Sequence, residues 1–114
     1  MSDDRRPKLW HDAFNAAGLA MSFLDGVSFD RYLADVYGRS AVERQILIAV
    51  EALNRAFELD PMLVDAIPDL HEFRGMRNHI VHRYDKTDHE IVYDAVVSDF
   101  PVLRRSPTPD LSTT

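Results

Sequence analysis

The chain contains no cysteine. That absence removes disulfide scaffolds, Cys-based zinc sites and thiol nucleophiles together. Lysine is almost missing as well, standing only at Lys8 and Lys86, so positive charge rests on arginine. No apolar run approaches the roughly 18 residues of a membrane span. The opening Met-Ser-Asp-Asp-Arg-Arg is not followed by the apolar stretch of a secretory signal. A cytoplasmic protein without membrane contact is the expectation. Net positive charge is lacking too, since 13 Lys and Arg face 19 Asp and Glu for a formal charge of -6. Such a chain does not attract phosphate over its whole surface, so any nucleic-acid contact has to be local.

What is present describes one small domain. With 46% hydrophobic and 28% charged residues over 114 positions, the composition is that of a soluble globular protein. The length suffices for one modest core and not for two domains. Residues 7–103 hold no repeat and no low-complexity block. The stretch 104–114 is polar and broken by Pro107 and Pro109, which predicts a disordered tail. The first six residues are expected to be loose.

Helical signals fill the domain. Pro7 suits a first turn, and Leu9, Ala13, Ala16, Ala20, Phe23 and Leu24 recur at helical spacing up to Asp25. Gly26 ends this helix. Ser28 caps a short second helix through Tyr37, with Gly38 as its stop. Ser40 and Glu43 form a capping box that opens a third helix to Leu59. Its stripe of Val42, Ile46, Ala49, Leu53, Ala56 and Phe57 is joined by off-stripe Ile48 and Ala52, so it should be the central, most buried helix. Asp60-Pro61 starts a short turn. Asp69 and Glu72 open the next helix, to Tyr84. Thr87 and Glu90 form a second capping box, before a last helix that ends near Pro101. The predicted fold is all-α, an antiparallel bundle of four to five helices.

Charge is unevenly distributed. Between residues 71 and 86, Arg74, Arg77, Arg83 and Lys86 outnumber Glu72 and Asp85. The segment carries +2, which leaves -8 for the rest of a chain whose total is -6. His71, His79, His82 and His89, four of the five histidines, fall in or beside it. An acidic protein has gathered its cations and imidazoles where a phosphate-bearing ligand would sit.

At ~100° per residue, Phe73, Met76, Ile80 and Tyr84 share one face, with Leu70 and Val81 at a margin. Arg77 falls inside this apolar stripe, while Asn78 and His82 fall on the other side, one turn apart. A guanidinium there has to be paired or to line a cavity. Glu51, on the third helix, is the candidate partner. His79 and His82 match a metal-ligand spacing, with His89 the nearest third, but nothing requires the three to converge and no metal or other cofactor is assigned. His11 and His71 read as surface residues, as do Asp94 and Asp99.

Arg77, His82 and Tyr84 fit an R-x-x-x-x-H-x-Y motif, and here the chain resembles the HepT-like branch of HEPN-domain proteins. The resemblance extends over Ala41–Asn54 with its Glu51-Ala52 pair, Phe73–Asp85, Ile91–Val96 and Asp99–Leu103. One departure is Val50, where many relatives carry Gly. The resemblance implies a metal-independent RNA endonuclease, the toxin of a pair whose antitoxin is a minimal nucleotidyltransferase. It implies Arg77 and His82 as catalytic residues and a homodimer, with higher assembly open. Tyr84 would position substrate and accept AMP from the partner. Asn78, Glu51 and His79 are the supporting residues, and Arg74, Arg83 and Lys86 the candidate RNA-backbone contacts. The rival reading is a non-catalytic nucleotide- or substrate-binding subunit of a nucleotidyltransferase. A purely structural dimer, its motif surviving as an ion-pair network, gives no reason for the clustered histidines.

Overall fold

The computed structural model describes residues 4–66, 70–81 and 86–105. These form helices α1 (Arg6–Phe23), α2 (Phe29–Ala34) and α3 (Val36–Leu59), a 3-10 turn (Pro61–Ala66), then α4 (Leu70–Val81) and α5 (Lys86–Asp94). A π turn (Ala95–Asp99) and α6 (Phe100–Arg105) continue α5 without a break. Among the described residues there is no strand, and the protein is all-α as its periodicity predicts. No helix among them is long and apolar enough to cross a membrane.

α1 and α3 form the centre. Ala13, Ala16, Ala17 and Ala20 of α1 are buried, as are Ala49, Ala52 and Ala56 of α3. Side chains this short let two helix axes approach closely. Val42, Ile46, Val50 and Leu53 fill the remaining space and are almost wholly excluded from water. α4 and the α5–α6 arm close over this pair through Phe73, Ile80, Val92, Val96 and Phe100, with the Phe73 and Phe100 rings 5.2 Å apart.

The element boundaries follow from caps. Gly26 adopts φ 73 in the turn after α1, a left-handed conformation that favours glycine. Ser28 accepts the Arg31 amide at 3.2 Å and starts α2, as expected. α2 is shorter than predicted, because Asp35 interrupts it. Asp35 accepts the Gly38 amide at 2.9 Å and caps α3 itself. Gly38 therefore lies in the first turn of α3 and is not a stop. The Ser40–Glu43 capping box is absent: the Ser40 hydroxyl donates to the Val36 carbonyl at 2.9 Å, and Glu43 is buried at 6% exposure.

Asp60 does cap the 3-10 turn, accepting the Met62 amide at 3.1 Å. It also takes Arg6 Nη1 at 2.7 Å, while Arg6 Nη2 reaches Asp4 at 2.9 Å. The chain is thus tied down from Asp4 onward, earlier than expected. Pro101 does not end the last helix. Pro lacks an amide hydrogen and crowds the carbonyl four residues back. The π turn just before it widens the coil, and the Phe100 amide bonds to Ala95 O, five residues back. The helix then runs to Arg105. Arg104 and Arg105, expected to open a disordered tail over 104–114, are the last residues of this helix instead, and 106–114 lie outside the described residues.

Candidate functional site

α4 carries three faces, set by its sequence at ~100° per residue. Phe73, Met76 and Ile80 form the buried face. Arg74, Arg77, Asn78 and Val81 form an exposed face that adjoins it on the Phe73 side. Between the two, Glu72, Gly75 and His79 look onto a groove of about 500 Å³ shared with α5, the π turn and α6.

Arg77 is the main correction to the sequence reading. The helical wheel counts Val81 with the apolar stripe and so encloses Arg77. Val81 is 48% exposed. The apolar arc therefore stops at Phe73, and Arg77, about 40° beyond it, falls outside, exposed. Pairing with Glu51 also fails. Glu51 is exposed on α3, and among the described residues no ion pair joins the two. A guanidinium in water has no burial to offset, so it needs no such partner.

The other basic candidates are placed differently. Arg74 donates from Nε to Asn54 Oδ1 of α3 at 2.7 Å, and its guanidinium carbon lies 5.6 Å from the Phe57 ring centre. Lys86 stands 5.8 Å above the Phe29 ring of α2. Both contacts are of cation–π type and hold these charges against neighbouring helices. Arg74 and Arg77 share a face of α4. Lys86 starts the next helix. His82, Arg83 and Tyr84 lie outside the described residues.

His79 is half-buried, and its Nδ1 lies 3.1 Å from Asp88 Oδ1 of α5. A carboxylate only accepts, so the ring presents its Nδ1–H to Asp88. The sequence reading missed Asp88. The available signal was its place in the first turn of α5, nine residues beyond His79. The groove was missed as well. Its floor is apolar, with Phe73, Met76, Ile91 and Ala95, but Glu72, Asp94 and Asp99 also line it. Asp94 and Asp99 are exposed, as expected, yet both border this groove. Three carboxylates disfavour a phosphate there, whereas the exposed face of Arg74, Arg77 and Asn78 favours one. Among the described residues, no three of His, Asp and Glu converge as metal ligands would.

A family model described as HepT-like, ribonuclease HepT-like, matches residues 14–108. No solved structure matches the chain significantly.

Proposed function

We propose, from the premise that this chain belongs to the HepT-like ribonuclease family, that it cleaves RNA without a metal as the toxin of a nucleotidyltransferase-controlled pair. The observation that carries this reading is the exposed face of α4. There Arg77 is solvent-facing and, among the described residues, bonds to no other side chain. A guanidinium left free of structural pairing is available to a phosphate, which it meets with two parallel donors.

The chemistry uses the substrate's own 2′-hydroxyl. Its oxygen bonds to the adjacent phosphorus, the bond from phosphorus to the 5′-oxygen breaks, and a cyclic phosphate and a 5′-hydroxyl result. His82 takes or returns a proton near neutral pH. Arg77 stabilises the charge that builds on the non-bridging oxygens. In-line displacement needs a proton donor opposite the base, and each chain supplies one motif histidine. A two-fold homodimer brings a second His82 and a second Arg77 to one cleft. Tyr84 positions the substrate and is the site of control. Its oxygen takes AMP from ATP, pyrophosphate leaves, and the added bulk and negative charge repel RNA.

The test is the purified full chain with RNA and a chelator. Cleavage by the wild type, lost in Arg77→Ala and His82→Ala with helicity unchanged, is the expected result. A stable RNA or nucleotide complex with no cleavage supports the non-catalytic subunit instead. The mass of the protein after co-expression with a nucleotidyltransferase partner reports whether AMP sits on Tyr84.

A further inference from the structure

Two of the residues proposed to act, His82 and Tyr84, lie in sequence between Val81, the last described residue of α4, and Lys86, the first of α5. His79 is in the last turn of α4 and Asp88 in the first turn of α5. Their 3.1 Å contact therefore brackets residues 82–85 in sequence. Both partners are sheltered, at 36% and 23% side-chain exposure, which screens the pair less than a fully wet one.

Each end of the brace is itself anchored. Arg74 ties α4 to α3 through Asn54. Tyr93 ties α5 to the turn after α1, donating to the Val27 carbonyl at 2.5 Å.

We infer that the His79–Asp88 pair is a positioning brace, fixing α4 and α5 against each other on either side of His82 and Tyr84 in the chain. This inference rests on the reading of His82 and Arg77 as the reacting groups. It gives His79 a role distinct from theirs. His79 borders the groove that Glu72, Asp94 and Asp99 also line, where a phosphate is repelled. The reacting phosphorus belongs on the Arg77 face, so His79 acts through geometry and not by proton transfer. Geometry matters at this level because a displacement of about 1 Å at a reacting group slows catalysis roughly a hundredfold.

Asparagine tests this. Its side-chain nitrogen takes the place of His Nδ1 and still donates to Asp88, but it has no second ring nitrogen. In the full-length protein, His79→Leu and Asp88→Ala should each slow single-turnover RNA cleavage by about tenfold or more. Affinity for an uncleavable 2′-deoxy substrate should not change. His79→Asn should stay within about threefold of the wild type. A His79→Asn variant as slow as His79→Leu overturns the brace, because the imidazole itself would then be required. Wild-type rates in His79→Leu and Asp88→Ala overturn it too.

Hydrogen exchange at residues 82–85 gives a readout independent of catalysis. It should quicken in His79→Leu and not in His79→Asn. If the wild type cleaves no RNA, the ribonuclease reading fails, and exchange still decides the brace: equal rates in all three proteins sink it. Should His79→Leu not fold, Asp88→Ala reads the same contact from its other side.

Discussion

Arg74 donates from Nε to Asn54 Oδ1 at 2.7 Å while its guanidinium lies 5.6 Å from the Phe57 ring centre. Both partners belong to α3, so this one side chain spans the α3–α4 seam. Arg77, one turn further along the same exposed face, spans nothing. Two arginines three residues apart therefore have different expected costs. Arg74→Ala should lower unfolding stability by about 1 kcal/mol, from one hydrogen bond and one cation–π contact at an exposed site. Arg77→Ala should leave it within about 0.5 kcal/mol of the wild type. Urea unfolding of both variants separates them. Equal losses would return Arg77 to a structural role.

Helix existence is legible in the sequence because periodicity and caps agree. Ser28, Asp60 and Gly26 punctuate the chain where their chemistry says they should. The failures are equally physical. Ser40 and Glu43 have the right spacing for a capping box, but Asp35 competes for the same helix start and wins by bonding the Gly38 amide. Pro101 has the right chemistry for a stop, but a π turn absorbs its missing donor. Arg77 sits inside the apolar stripe only if Val81 is counted as part of it, and Val81 faces solvent. An isolated wheel cannot report which margin of an apolar arc a neighbouring helix covers. The His79–Asp88 contact depends on how α4 and α5 pack, and no periodicity in either helix encodes that.

Gly38 and Gly75 should respond oppositely to alanine. Inside a helix, Gly→Ala ordinarily gains up to about 1 kcal/mol. At Gly75 nothing lies within 4 Å of an added Cβ, so that gain should appear in full. At Gly38 the Cβ would stand 2.5 Å from Asp35 Oδ2. Asp35 has to swing away, and its cap on the Gly38 amide goes with it. Losing such a cap costs about 1 kcal/mol, which cancels or reverses the gain. Thermal melts of the two variants should move apart, Gly75→Ala upward and Gly38→Ala level or downward. An upward shift of the same size in both means the cap survives the intrusion.

Tyr93 joins the last helical arm to the turn after α1. Its hydroxyl donates to the Val27 carbonyl at 2.5 Å, and its ring packs against Phe29 and Tyr32 at 5.5 and 5.6 Å. Tyr93→Phe keeps the rings and deletes only the hydroxyl. It should cost about 1 kcal/mol, the net value of one partly buried hydrogen bond. Tyr93→Ala, which also removes the aromatic contacts, should cost about 3 kcal/mol or more. Similar losses in the two variants would assign the stability to the bond alone and remove the rings from the account.

Acid should loosen the N-terminal clamp before it touches the core. The Arg6 side chain, bonded to Asp4, holds that carboxyl below its ordinary value of 3.8. Arg6 is pushed upward by Asp4 first and then by Asp60, so its charge persists throughout the accessible range. A carboxyl whose folded value is depressed contributes its stability above the unfolded value and loses it as pH falls through the folded one. The wild type should therefore melt above Asp4→Asn by a constant margin from neutrality down to about pH 5. The margin should close as pH drops below 3.8. Because the groups lie near the surface, added salt should shrink it at every pH. Melting temperatures of the two proteins across this range provide the check. A margin that widens in acid reverses the sign and removes Asp4 from the clamp, leaving Arg6 held by Asp60 alone.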